Sequence, residues 1–299
     1  MKINIVTIIL AVISTVSSFS CNPDPQEKAD SVTVIPTGSE NLNISILLDL
    51  SDRISQKKHP NPAMEYYKRD LGYIHSIAKG FENSLRSKPV RQVNDQIQIF
   101  FEPEPLNSQI NTLANKVKLA FTKTSTTKES IQKVSLQYVS ASTEIYNLAL
   151  KEQNYIGSDI WGFFKSKVND YCIKPNHRNI LFILTDGYMF HEDSKFLEGP
   201  KSSYLTPELI KALKLNKSNY KALLTSNKYG FIKANSDLHD LEVVVLGINP
   251  AKGNPYERDV IEAYWSDWLR EMKVKNYIIK AADLPSNLDP VIQKFLTGI

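Results

Sequence analysis

Two cysteines in 299 residues, Cys21 and Cys172, are too few to build a disulfide framework, so the fold has to be held by its core. Glycine-rich phosphate loops and Gly-x-Ser-x-Gly elbows are also missing, which removes the parts needed for P-loop nucleotide hydrolysis and for serine hydrolase chemistry. The five histidines, His59, His75, His177, His191 and His239, lack the i, i+4 pairing of a helical zinc site. Basic residues exceed acidic ones by a formal charge of only +4, with no dense Lys/Arg stripe and no interleaved aromatic platform. Nucleic-acid binding and electrostatic attachment to membranes therefore have no support. The long uncharged stretch Ile3 to Val16 is too short to span a bilayer comfortably. What remains is an ordinary globular composition, 42% hydrophobic and 23% charged, long enough for one substantial core.

The N-terminus stands apart from that core. Lys2 followed by the uncharged run and then by small residues reads as a signal peptide over residues 1–20. Ser18-Phe19-Ser20-Cys21 resembles a bacterial lipobox, with Ser18 where leucine is usual, and the resemblance implies acylation of Cys21. Simple secretion is the alternative. Residues 21–40 are polar and aperiodic, as expected of a lipidated cysteine and its flexible tether. The expected localisation is export, with lipid anchoring in the bacterial cell envelope through Cys21. Cys172 reads as a small buried apolar residue.

From about residue 41 to 299 apolar runs alternate with helical patterns. Strands are expected at Ile44 to Leu48, Gln96 to Phe101, Ile180 to Leu184, Leu241 to Leu246 and Tyr277 to Ile279. Helices are expected at roughly Pro62 to Leu85, Ser108 to Phe121, Glu129 to Tyr138, Glu144 to Val168, Pro207 to Leu224, Tyr256 to Met272 and Leu288 to Leu296. That alternation predicts an α/β fold: a Rossmann-like open, mostly parallel sheet with helices on both faces. Residues 188–240 are long for a connection and read as an insertion. Tyr264, Trp265 and Trp268 fall at helical spacing and are expected to pack on the sheet; Tyr66 and Tyr67 are read with the same caution.

Ligands of such sheets sit beyond the carboxyl ends of the strands. There the first strand runs into Asp49-Leu50-Ser51-Asp52-Arg53 and the third into Thr185-Asp186-Gly187, while Thr143 falls at an expected helix start. His191-Glu192-Asp193 follows closely and reads as a solvated loop. These three pieces, in this order, resemble the metal-ion-dependent adhesion site of von Willebrand factor type A (VWA) domains. The family's pattern is Asp-x-Ser-x-Ser, a threonine at a helix start, and Thr-Asp-Gly. The matching positions are Asp49 and Ser51, Thr143, and Asp186. The resemblance implies magnesium, or manganese or calcium, held by the hydroxyls of Ser51 and Thr143 with Asp49 and Asp186 balancing charge. It also implies a protein partner that offers an acidic residue to the ion.

Arg53 occupies the place of the second serine, where it removes a ligand and adds a permanent cation. Pointing inward, it would pair with Asp49 or Asp186 and stand in for the metal; pointing outward, it would leave Ser51, Thr143 and water to hold the ion. The expected function is that of a non-enzymatic envelope lipoprotein mediating protein–protein contact. Two alternatives stay open. One is a magnesium-dependent phosphohydrolase with Asp49 as nucleophile, although the second acid of that chemistry is absent at Ser51. The other is a structural envelope protein with a metal-free site.

Overall fold

A computed structural model describes residues 40–152, 155 and 157–298. The readings of residues 1–39 as signal peptide, lipidated Cys21 and tether lie outside the described residues. Each of the five expected strands is present and slightly longer than its apolar run: β1 (Leu42–Leu48), β2 (Asn94–Phe100), β4 (Arg178–Leu184), β5 (Leu241–Ile248) and β6 (Asn276–Ala281). A further strand, β3 (Leu119–Thr122), lies where the helix from Ser108 was expected to continue. That helix, α2, instead ends at Lys116, and the chain turns at Val117 to pair antiparallel with β2. The sheet order is β3-β2-β1-β4-β5-β6, and every pairing except β2–β3 is parallel.

The continuous apolar runs follow from burial on both faces. On one face Ile44, Ile46, Leu48, Ile180, Phe182 and Leu184 meet a layer that includes α1 (Tyr66–Ser87), α3 (Val134–Lys151) and α6 (Pro285–Thr297). On the other, Leu47, Leu181, Ile183, Val243 and Val245 meet α4 (Ile160–Ser166), α5 (Glu257–Glu271) and much of the 188–240 segment. Tyr264, Trp265 and Trp268 of α5 are buried, as expected, with Phe231 of the inserted segment packed edge-on against Tyr264 and Trp265. That segment holds a small three-stranded sheet, Leu197–Glu198, Lys201–Ser202 and Gly230–Phe231. The single helix expected at Pro207 to Leu224 is two, Pro207–Ala212 and Tyr220–Asn227. Cys172 is fully buried.

Helix α6 is joined to the rest by packing and by charge. A side chain on Gly72 would overlap Pro285, and one on Gly80 would overlap Leu296, so both positions on α1 admit the close approach of α6. At its far end Arg178 makes a forked pair with Glu242, at 2.8 and 2.9 Å, and donates to the carbonyls of Phe295 and Leu296 at 2.7 and 2.8 Å. Those carbonyls belong to the last turn, where the helix itself supplies only the Gly298 amide, 3.3 Å from the Phe295 carbonyl. Replacing Arg178 with methionine leaves the nearly buried Glu242 with only Lys275, at 4.0 Å, and is expected to cost about 3 kcal/mol. Urea denaturation of Arg178→Met measures it; a midpoint equal to wild type would show that α6 is held by packing alone.

Candidate functional site

At the carboxyl end of β1 the buried charges Asp49, Arg53 and Asp70 converge. Asp49 keeps β1 in register with β4 by donating its amide to the Leu184 carbonyl at 3.1 Å. Its side chain then turns the backbone: Oδ1 accepts from the Ser51 amide at 2.9 Å, a local turn that leads into a single 3-10 turn at Asp52–Ile54. Oδ2 accepts from the Thr185 hydroxyl at 2.8 Å, tying β1 to the first residue after β4. Both oxygens of Asp49 are thus occupied, and the residue is buried.

The 3-10 turn swings Arg53 inward, with 4% of the residue exposed. Its Nε donates to the Asp49 carbonyl at 2.9 Å and lies 3.6 Å from Asp49 Oδ2. Its Nη2 donates to the Leu184 carbonyl at 2.8 Å and to Asp70 Oδ2, on α1, at 2.6 Å. The Tyr146 hydroxyl, on α3, donates to the same oxygen at 2.8 Å. One guanidinium therefore joins β1, β4 and α1 directly and reaches α3 through Asp70. Burial opposes the charge on Arg53, but the Asp70 and Asp49 carboxylates outweigh it and hold the group above its ordinary value. At Asp70 burial pushes upward most strongly, against the pull of Arg53 and Tyr146.

Asp186 sits half-buried at the mouth of this cluster, its Oδ1 accepting from the Tyr188 amide at 3.1 Å. Burial first, and the Asp49 carboxylate second, push its carboxyl up to about 7, with Arg53 pulling the other way. The next residue, Gly187, has φ +96°, and a side chain there would also meet Ile248 and Ile261 within 2.7 Å. Trp265 donates its indole N–H to the Gly187 carbonyl at 2.8 Å, fixing this turn from below.

The expected threonine is not part of the cluster. No breaker interrupts Val134–Lys151, so α3 is continuous where two helices had been expected, and Thr143 is interior rather than at a start. It is exposed, its hydroxyl donates back to the Val139 carbonyl at 2.7 Å, and it lines a surface groove with Leu113, Lys116 and Leu136. Asp49, Ser51, Arg53 and Asp186 are brought together; Thr143 is exposed, while Tyr146 on the same helix is buried against Asp70. Asp70, Tyr146 and Thr185 are the site residues that the motif reading missed. The signal for Asp70 was present: it precedes Ile74, Ile77 and Phe81 by four, seven and eleven residues, which puts a carboxylate on the buried stripe of α1. Such a carboxylate calls for a buried cation.

A divalent ion does not fit this donor set. The Asp49 oxygens are already paired, the hydroxyl of Thr143 is bonded to the Val139 carbonyl, and a guanidinium lies against Asp70. Among the described residues no group of three His, Cys, Asp or Glu side chains is placed to hold a metal ion. A hollow beside the rim, lined by Leu48, Leu50, Phe101, Ile110 and Ala149, holds about 30 Å³, room for one water.

Over the site lie two loops, between β1 and α1 and between β5 and α5. Tyr66 bridges them, accepting from Asn61 at 3.1 Å and donating to Asn249 at 3.0 Å. Lys58 pairs with Asp52 at 2.9 Å, while Lys57 and Lys252 are exposed on the two loops. Glu192 and Asp193 are exposed, as expected of a solvated loop.

No protein-family model matches the chain, and no curated protein matches it. Several solved structures are similar in shape at low identity. An aerotolerance-related membrane protein from Bacteroides fragilis is 13% identical, with a TM-score of 0.38 over 87% of this chain and all of that one. A conserved hypothetical protein, BatB, from Bacteroides thetaiotaomicron is also 13% identical, with a TM-score of 0.37 over 86% of this chain and 98% of that one. The pilus adhesin SpaC from Lactobacillus rhamnosus GG is 9% identical, with a TM-score of 0.41 over 86% of this chain; the match spans only 30% of the adhesin.

The raised Asp186 carboxyl sets a pH dependence. Folded, the group titrates near 7; unfolded, near its ordinary 3.8. Between those values the native state binds the extra proton, so Asp186 lowers stability progressively as pH rises from about 4 to about 7. Asp186→Asn is expected to flatten that part of the curve, read as the difference in melting temperature between variant and wild type across pH 4–8. A difference that does not change with pH would contradict the raised value.

Proposed function

We propose that the chain is a non-enzymatic, VWA-like interaction module of the bacterial cell envelope, lipid-anchored at Cys21, which presents the carboxyl-end rim of its sheet to a protein partner. The observation that carries this reading is the state of Asp49. Both its oxygens are bound within the fold, and the adjoining hollow of about 30 Å³ is far below the several hundred that a small-molecule site needs. A carboxylate so placed is a structural anchor, which weighs against the phosphohydrolase alternative. The similarity of Asp49, Ser51 and Asp186 to the VWA pattern supports the fold assignment, and the positions of these residues beyond β1 and β4 are those the pattern requires.

The surface offered to a partner is then the pair of loops above the site. Lys57 and Lys252 are exposed there, and their charge favours a partner that brings an acidic residue, with the lysines rather than an ion as its counterpart. Among the described residues no helix is long and apolar enough to cross a membrane; the proposal of attachment through Cys21 rests on the lipobox-like Ser18-Phe19-Ser20-Cys21.

Two measurements test this. A partner cross-linked to the full chain in envelopes of a native host should be captured several-fold less by the double variant Lys57→Glu, Lys252→Glu, and capture by wild type should weaken with added salt. Equal capture by the double variant would remove the rim from the proposal, and turnover of phosphate esters abolished by Asp49→Asn would replace it with the enzyme reading. Separately, cells fed labelled palmitate should label the wild-type chain and not Cys21→Ala; an unlabelled wild type would leave secretion without an anchor.

A further inference from the structure

We propose that the Arg53 guanidinium is the resident cation of this site, a covalently held replacement for a divalent ion, so that the rim is assembled and kept independently of metal. The proposal concerns how the rim is built; it rests on the interaction reading only for what the rim is used for.

The geometry carries the argument. A divalent cation in such a position has to do two things: neutralise converging carboxylates and draw separate segments together through its ligands. Arg53 does both through directed donors. Nη2 satisfies Asp70 Oδ2 at 2.6 Å and the Leu184 carbonyl at 2.8 Å, and Nε satisfies the Asp49 carbonyl at 2.9 Å. The Leu184 carbonyl, which also accepts the Asp49 amide at 3.1 Å, and the Asp49 carbonyl lie where β4 and β1 run out, and Arg53 ties these two ends together. The planar fork serves several oxygens at fixed angles, which a lysine ammonium or a hydrated magnesium ion would do with a different geometry. Asp49, the residue nearest to being an ion ligand, is turned away from that role by the Ser51 amide and the Thr185 hydroxyl. The Tyr146 hydroxyl completes the shell of Asp70 at 2.8 Å. Every bond in this set comes from this chain, and none leaves an open coordination position for a partner's carboxylate.

Removing the guanidinium should therefore do more than weaken packing. It strands the buried Asp49 and Asp70 carboxylates beside Asp186, and that uncompensated charge should create a demand for a cation that wild type lacks. Arg53→Ser also introduces a hydroxyl at the stripped position. The full chain and Arg53→Ser are compared by thermal melting in chelator and in millimolar magnesium or manganese, with calorimetric titration of manganese into wild type. Wild type is expected to melt at the same temperature in chelator and in magnesium and to take up no manganese. Arg53→Ser is expected to melt lower in chelator and to recover part of the loss as magnesium rises. Arg53→Lys, which keeps the charge but not the fork, should fall between the two and stay insensitive to magnesium. Stoichiometric manganese binding by wild type that is lost in Asp186→Ala would overturn the proposal, as would an Arg53→Ser protein as stable as wild type in chelator. If Arg53→Ser does not fold, the wild-type titration still decides. Failure here would leave the partner-capture result untouched, and loss of capture by the lysine variant would not bear on Arg53.

Discussion

The rim of this domain depends on one buried cation. Arg53 is inserted by a single 3-10 turn into a space bounded by the ends of β1 and β4 and by the first half of α1. A guanidinium taken out of water is costly unless nearly every donor finds a partner with good geometry. Here two backbone carbonyls and a carboxylate supply that geometry, and a tyrosine satisfies the carboxylate in turn. The arrangement is tolerable because Nε and Nη2 are both engaged and the Asp70 carboxylate is shared with Tyr146. Its energetic value lies less in net stability than in specificity: a shift of β1 against β4, or of α1 against either, would leave a buried charge unpaired.

That network links parts of the molecule that packing alone would hold more loosely. The sheet supplies Asp49 and Leu184, the helix layer supplies Asp70 and Tyr146, and the opposite layer reaches the same rim through Trp265 and the Gly187 carbonyl. Both faces of the sheet are thus fastened to the loops that carry Lys57 and Lys252. A surface meant for recognition benefits from such fastening, since loops already held in place lose less freedom when a partner arrives.

Much of this was legible in the residues. β1, β4 and β5 were readable because burial on both faces makes those runs almost continuously apolar, and the polar residues just beyond β1 and β4 had to lie at one end of the sheet. Asp49, Ser51, Arg53 and Asp186 converge for that reason. Thr143 was misplaced because a motif of spaced residues says nothing about whether a helix begins there, and the segment from Val134 has neither a breaker nor a cap near Thr143. β3 was hidden because Leu119 to Thr122 is short and lies at an edge, where a half-exposed strand and a helix end have similar composition. Asp70 is legible only as a carboxylate on the apolar stripe of a helix, away from the strand ends where the motif lies. Which way Arg53 pointed depends on the 3-10 turn, a local conformation that pattern reading does not reach.

The strand order carries a consequence for crowding. An outermost strand leaves a row of backbone donors and acceptors unpaired on one side, and an apolar one invites a neighbouring chain to add to it. At one border β3 is only four residues long, and Lys123 follows it directly. At the other, the apolar stretch Tyr277 to Ile279 of β6 is bracketed by Lys275 and Lys280. A second strand laid along either border would have to bury an ammonium group or stop short. The two lysines that bracket this apolar stretch thus bias the molecule toward remaining single at high concentration.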